Sequence, residues 1–309
     1  MQTANLEEKL KIFVTGVNGQ LGYEVINEAA VRGFDCVGSD ITEQYAGICK
    51  YCEKAEYIQL DITDSVAVDN VISQVNPDVV VHCAAWTAVD AAEDNEEKVH
   101  AVNVSGTENV AKACEKYDCK MIYISTDYVF DGKGTTPWEA DCVNYAPLSV
   151  YGKSKLLGEK AVSKLQKYFI VRIAWVFGQN GNNFVKTMLS VGRKYDTVRV
   201  VNDQIGTPTY AFDLAKLLCD MAKSDKYGYY HATNEGGFIS WYDFTCEIYR
   251  KAGLSTKVVP VTTQEYGLTK AARPENSRLD KSKLSRNGFS LLPDWKEALS
   301  HYLKTIKEI

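Results

Sequence analysis

Residues 11–22 read KIFVTGVNGQLG. A short apolar run ends in threonine and glycine, glycines recur at positions 16, 19 and 22, and a helical pattern runs from about Leu21 to Arg32. An apolar strand that breaks into a glycine-rich turn and opens into a helix is the context of a dinucleotide-binding loop. Glycine lets the backbone approach a pyrophosphate closely, and the helix N-terminus offers N–H groups and a partial positive charge. The spacing GxxGxxG departs from the commoner GxGxxG, but the strand–turn–helix setting is the required one. Gly16, Gly19, Gln20, Leu21 and Gly22 are therefore candidate cofactor-binding residues.

Outward from this loop the alternation continues. CVGSD, YIQLD, DVVVHCAA, KMIYIST and YFIVRIAWVFG read as strands, and helical patterns fill the seventies, Val99–Tyr117 and Tyr151–Leu165. Near-continuous apolar strands between helices indicate a parallel sheet covered on both faces. Right-handed crossovers then give an α/β, Rossmann-like doubly wound sheet. After Gly178 the pattern loosens. A helix at Phe184–Lys194, the strand VRVVND, a helix at Phe212–Lys223 and the strand GYYHATN lead to a helix at Trp241–Ala252. The strand VVPVT, an irregular RPENSRLD segment and a closing helix from Trp295 complete the chain. No repeat or low-complexity linker separates these pieces, so a smaller α/β substrate domain is expected to interleave with the first. The expected division is 11–177 plus about 207–233 for the dinucleotide-binding domain, and about 178–206 plus 234–309 for the substrate domain.

The chain has 309 residues, 45% of them hydrophobic and 24% charged, which is ordinary for a globular protein with a large core. A net charge of −5 gives no basic field for nucleic acid or an acidic membrane surface. No apolar run approaches membrane-spanning length, and MQTANLEEKL lacks the character of a signal peptide, so a cytoplasmic location is expected. Nine cysteines is an odd, scattered set that argues against a disulfide framework. Cys49 and Cys52 form a lone CxxC with no second pair to complete a zinc site.

Each strand ends in a small or polar cluster, and in an open parallel sheet these ends line the ligand crevice. Asp40 ends the second strand about twenty residues past the loop, and a carboxylate there holds the ribose hydroxyls of NADH and repels the 2′-phosphate of NADPH. Asp61 and Ile62 end the third strand and suit the adenine. Ala84 and Ala85 let a cofactor lie against the fourth strand's end, and Thr87 can face nicotinamide or substrate. Asn103, in the following helix, is either a holder of a relay water or a packing amide. Tyr151 and Lys155 in VYGKSK stand about one helical turn apart on one face. A nearby cation lowers a phenol's pKa, so the pair can give a proton to a carbonyl oxygen or take one from an alcohol. Ser125 and Thr126 end the fifth strand, and either hydroxyl can orient the same carbonyl. Trp175 can wall a sugar ring or belong to the core. Arg273 and Arg278 carry guanidinium groups that suit a diphosphate.

Taken in order, TGVNGQLG, PDVVVHCAAWTAVDAAE, STDYVFDG, PLSVYGKSKLLGE, RIAWVFG, GNNFVKTML, NDQIGTPT and RPENSRLD resemble the extended short-chain dehydrogenase/reductase family over nearly the whole chain. Within it they are most similar to the branch that reduces the C4 ketone of dTDP-4-dehydro-L-rhamnose with NADPH or, in some members, NADH. The resemblance implies Thr126, Tyr151 and Lys155 as catalytic residues. It implies Gly16, Gly19, Gly22, Asp40, Asp61, Ile62, Ala84, Ala85, Tyr151 and Lys155 as cofactor ligands, and Thr87, Tyr128 and Trp175 as contacts of a dTDP-linked 4-keto-6-deoxyhexose. It also suggests a homodimer and an interfacial Mg2+, for which Glu24 matches one position and no further ligand can be placed. Two alternatives share the scaffold. One is another nucleotide-sugar epimerase or reductase, and the other is a non-catalytic subunit resembling the regulator of methionine adenosyltransferase.

Overall fold

The alternating strands and helices are present in the computed structural model, which describes residues 9–47, 55–267 and 269–309. Cys49 and Cys52 lie outside the described residues. The first half runs β1 (Lys11–Thr15), α1 (Gln20–Val31), β2 (Asp35–Asp40), β3 (Glu56–Gln59), α2 (Ser65–Val75) and β4 (Val79–His82). It continues with α3 (Thr107–Lys116), β5 (Lys120–Thr126), α4 (Val150–Val162) and β6 (Tyr168–Ile173). The second half holds α5 (Phe184–Lys194), β7 (Thr197–Val201), α6 (Ala211–Ala222) and β8 (Gly228–His231). It ends with α7 (Trp241–Ala252), β9 (Lys257–Val261) and α8 (Trp295–Thr305).

Seven strands pair in parallel in the order β8-β6-β5-β4-β1-β2-β3. The chain winds outward from β1 through β2 and β3, then returns to build the other half from β4. The crevice beyond β1 and β4 is the switch point at which such sheets bind ligands. Alternation along β1 places Ile12 and Val14 against α1 and α6 on one face and Phe13 against α2 and α3 on the other, all fully buried. This is the two-sided burial that the apolar strand runs require.

A second core gathers Phe177, Leu189, Val200, Phe244, Trp295 and Leu299. It lies around the parallel pair of β7 and β9. Helix α7 is started by a capping box in which the Ser240 hydroxyl accepts from the Asp243 N–H and Asp243 accepts from the Ser240 N–H. Leu284, Phe289 and Leu292 pack into the main sheet's core, so the chain crosses between the two cores near its C-terminus as well. On these cores we propose the division 11–177 plus about 207–233 and about 178–206 plus 234–309, with that late crossing added. Among the described residues no helix is long and apolar enough to cross a membrane.

Two elements differ from the sequence expectation. The helix read as Val99–Tyr117 contains a wide π turn at Ala101–Gly106, centred on Asn103. The strand read through YFIVRIAWVFG stops at Ile173. Trp175 takes φ +53°, a left-handed conformation that ends strand pairing, and Val176–Phe177 then pairs instead with Thr209–Tyr210.

Candidate active site

The glycine loop is pressed against the switch point by contacts that exclude side chains. Gly16 has φ +72°, and a Cβ there would fall 2.6 Å from the Ala84 backbone nitrogen. A Cβ on Gly22 would fall 2.2 Å from the Gly16 carbonyl oxygen. The N–H groups of Gly16 and Val17 both donate to the Ser39 carbonyl, at 2.8 and 3.2 Å, tying the loop to the end of β2. Gly19 caps α1 without a side-chain hydrogen bond, which leaves the first turn's amides for an anion. Gly22→Ala must push loop and helix apart at about 1–3 kcal/mol. Its dissociation constant for NADH, read by nicotinamide fluorescence, should rise roughly tenfold or more. An unchanged constant would remove the loop from the cofactor site.

The cofactor, catalytic and substrate residues read from the sequence between Gly16 and Trp175 line one cleft of about 950 Å³ at the carboxyl edge of the sheet, whereas Glu24 and Asn103 are not part of its lining. Asp40 is fixed there by two backbone amides, with Oδ2 accepting from Asn18 at 3.0 Å and Oδ1 from Ile41 at 2.8 Å. Asp61 Oδ1 accepts from the N–H and hydroxyl of Thr63, at 2.9 and 2.8 Å. The Ala84 N–H donates to Thr15 Oγ1, and Thr87 stands exposed at the rim.

Tyr151 sits in the first turn of α4, placed by its neighbour Ser149, whose hydroxyl caps the helix by accepting from Gly152 N–H at 3.1 Å. Its ring meets Tyr128 edge-on, with centroids 5.6 Å apart. Thr126 stands beside the Tyr151 phenol, which its hydroxyl draws down, and it donates to Asp127 Oδ1 at 3.0 Å. Ser125 is turned to the other side of β5, where its hydroxyl donates to Glu159. The geometry therefore separates the two hydroxyls, with Thr126 beside the phenol.

Burial dominates the electrostatics. Desolvation pushes the Tyr151 phenol up, and the Asp127 charge pushes it further. Lys155 is 3% exposed, and desolvation lowers its ammonium to about 7, opposed by Glu159 and Cys83. The sequence expectation that the neighbouring amine lowers the phenol is therefore not met: burial and the Asp127 charge raise it, and what opposes them is the Thr126 hydroxyl, not Lys155. Sequence reasoning did not single out Asp127. It is 2% exposed, lines the cleft, and has its carboxyl raised to about 6 by burial. Its signal was available as an acid directly after the strand-ending Ser-Thr pair.

Trp175 stacks on Trp241 at 3.7 Å and 16°, and Trp241 meets Phe184 at 4.4 Å. All three line the cleft as an aromatic wall on the second-domain side. Trp241 and Phe184 were not foreseen, because both sit in helices whose apolar positions read as core.

Other expectations change. Asn103 accepts from the Trp86 N–H at 2.7 Å and donates to the Trp86 carbonyl and the Ser154 hydroxyl, at 3.1 and 2.9 Å. It is a packing amide that clamps the end of β4 to α4. Arg273 lines the cleft but is held bidentately by Asp90, at 3.0 and 2.8 Å. Arg278 turns to Asn276 Oδ1 at 2.9 Å and lies 6.0 Å from the Phe238 ring. The diphosphate role read for the two arginines is not prepared by this arrangement. Glu24 is buried, with its carboxyl raised to about 7 by desolvation. Among the described residues no group of three or more His, Cys, Asp or Glu side chains is placed to hold a metal ion. Within this chain Glu24 gains no further Mg2+ ligand among the described residues, and no step is assigned to the ion.

A glycine loop at the switch point, an acid at the end of β2 and a threonine, tyrosine and lysine around one cleft fit a nicotinamide-dependent oxidoreductase of the extended short-chain dehydrogenase/reductase class. The match to the RmlD substrate binding domain family spans residues 10–308, and the chain belongs to that family. It is 37% identical over 295 residues to the spore coat polysaccharide biosynthesis protein SpsK of Bacillus subtilis, covering 95% of this chain and 97% of that one. It is 38% identical over 308 residues to the dTDP-4-dehydrorhamnose reductase of Aggregatibacter actinomycetemcomitans, covering 94% and 97%. The crystal structure of dTDP-4-dehydrorhamnose reductase from Bacillus anthracis in complex with NADP aligns with a TM-score of 0.84 at 36% identity, covering 96% of this chain and all of that one.

Proposed function

We propose that the protein reduces the C4 ketone of dTDP-4-dehydro-L-rhamnose to dTDP-L-rhamnose at the expense of NAD(P)H, a step of nucleotide-sugar and cell-surface polysaccharide synthesis. The observation that carries this reading is the meeting of Thr126, Tyr151 and Lys155 with the glycine loop in one cleft. The relatives named as reductases of this sugar nucleotide support the choice of substrate.

A bound nicotinamide supplies the hydride. Thr126 and Tyr151 hold the ketone oxygen between two hydroxyls, a proximity effect. Tyr151 then gives its proton to that oxygen as it gains charge. Lys155 holds the nicotinamide ribose and offsets the charge left on the phenol. Gly16, Gly19, Gln20, Leu21 and Gly22 take the pyrophosphate, Asp40 the adenosine ribose, Asp61 and Ile62 the adenine, and Ala84 and Ala85 the nicotinamide side. Thr87, Tyr128 and Trp175 enclose the sugar. The test is to supply dTDP-4-dehydro-L-rhamnose with either dinucleotide and follow loss of nicotinamide absorbance. Stoichiometric oxidation is expected. An epimerase would leave the cofactor unchanged over turnover, and a regulatory subunit would oxidise none.

Asp40 bears on the choice between dinucleotides. Two amides pin its carboxylate, so it cannot swing away from a 2′-phosphate. Like charges at about 4 Å repel by roughly 1–4 kcal/mol between water and a protein surface. NADH is therefore the preferred donor, with NADPH accepted more weakly. Asp40→Ser should move the ratio of kcat/KM for NADPH over NADH upward by about tenfold or more. A ratio that stays level would show that the specificity is set elsewhere.

A further inference from the structure

The ammonium of Lys155 is buried, and the anion one turn along its own helix is already committed. Glu159 takes two charge-assisted bonds from Arg172, both at 2.8 Å, and a third from Ser125. What faces the Lys155 ammonium is the ring of Tyr123 on β5, with the nitrogen 4.0 Å from the ring centroid. That ring is itself held on every side. It is fully buried, its hydroxyl donates to the Lys155 carbonyl at 3.3 Å, and the His82 ring lies parallel to it at 5.9 Å. Gly158 makes room for it on α4, since a Cβ there would fall 2.2 Å from the Tyr123 oxygen.

We propose that Tyr123 is a positioning residue for the reaction: its π face stands in for the water that Lys155 has lost, keeping the amine charged and aimed into the cleft beside Tyr151. The aromatic quadrupole attracts an ammonium and not a neutral amine, and the attraction is strongest where both are desolvated. Of the other groups around Lys155, Glu159 also favours the charged amine, but its carboxylate is shared with Arg172, and the ring is what covers the ammonium itself. On α4, Tyr151 is a neutral phenol and Glu159 is paired with Arg172. On β4, burial holds His82 neutral by pushing it down to about 3, and Cys83 at its end is pushed up to about 12. Thr107, from α3, contributes only a hydroxyl near Tyr123.

The direction of the effect follows. Lys155 is charged below its pKa, which burial has already brought to about 7. Weakening the ring's attraction lowers that value further, so charge is lost first on the alkaline side. Loss of a desolvated cation–π contact should move the alkaline limb down by about one pH unit.

This inference rests on Lys155 holding the nicotinamide ribose, as assigned above. The experiment places phenylalanine and then mono-, di- and trifluorinated phenylalanine at position 123, which keeps the ring's shape while draining its π face. Two pH profiles are read for each protein: NADH binding by fluorescence, and turnover of the keto-sugar nucleotide. Tyr123→Phe should resemble the parent, and successive fluorines should shift the alkaline limb of both profiles downward in steps that total about one unit for the trifluoro ring. Coincident profiles across the fluorinated series would overturn the proposal. So would a Tyr123→Phe protein whose limb has already moved as far as that of Tyr123→Leu, because the hydroxyl would then be the active part. The binding profile needs no sugar, so if the parent reduces no keto-sugar the functional reading falls while this arm still decides the role of Tyr123.

Discussion

Tyr151→Phe should lower turnover of the keto-sugar nucleotide by roughly a hundred- to ten-thousand-fold, the span associated with losing a positioned general acid. Its dissociation constant for NADH should change little. The substitution removes one oxygen from a ring that keeps its edge-on contact with Tyr128 and its place in a helix turn capped by Ser149. Stability is therefore expected to hold, and a melting curve checks it. The comparison that matters is with Thr126→Val, which removes the second hydroxyl on the same oxygen but leaves the proton donor. If the two hydroxyls have the separate tasks assigned here, Tyr151→Phe abolishes the pH-dependent proton transfer while Thr126→Val lowers the rate without removing it. A Tyr151→Phe protein with near-normal turnover would refute the assignment of the phenol. A protein that loses NADH binding as well would mean the ring is part of the cofactor seat and its chemistry is untested by rate alone, so binding must be measured first.

What was legible in the sequence follows the physics of each signal. The parallel sheet could be read because strands buried on both faces must be apolar at nearly every position, as in VVVH of β4. The cleft could be read because strand ends, glycine turns and a YxxxK spacing are local features. The break at Trp175 could not, because nothing local marks a tryptophan for a left-handed backbone. That conformation is held by Trp241, far along the chain, and by Gly206, where a Cβ would fall 3.0 Å from the Trp175 ring. The fate of Arg273 was equally hidden, since Asp90 is its partner across more than half the sequence. The expected lowering of the Tyr151 phenol failed for a related reason. Spacing reports that an amine is one turn away, but only the folded surroundings report that both groups are dry, and dryness sets the direction of both shifts here.

Arg172→Met should cost about 3–5 kcal/mol of stability, the usual penalty for leaving one member of a buried ion pair unpaired. The guanidinium is fully buried on β6 and meets both oxygens of Glu159. Its remaining N–H groups donate to the Ala140 carbonyl at 3.1 Å, the Tyr145 hydroxyl at 2.9 Å and His231 Nε2 at 3.4 Å. The rings of Phe130, Tyr145 and Tyr229 surround it at 5.0, 5.2 and 4.8 Å. Methionine fills much of the volume, so the loss reports the stranded Glu159 charge more than a cavity. Removing that charge as well, in Arg172→Met with Glu159→Gln, should recover a large part of the stability, because a neutral amide costs less to bury than a carboxylate. Denaturant unfolding of the four proteins in the cycle gives the coupling. A double variant no more stable than Arg172→Met would mean that the aromatic box around the guanidinium, and not the ion pair, supplies the stability. The pair also matters to the site. Glu159 lies on the same helix as Tyr151 and Lys155, and Ser125, next to Thr126, is tied to it. Arg172 thus fixes the helix that carries Tyr151 and Lys155 to the strand end that carries Thr126, and the single variant should lose turnover at temperatures where it is still folded.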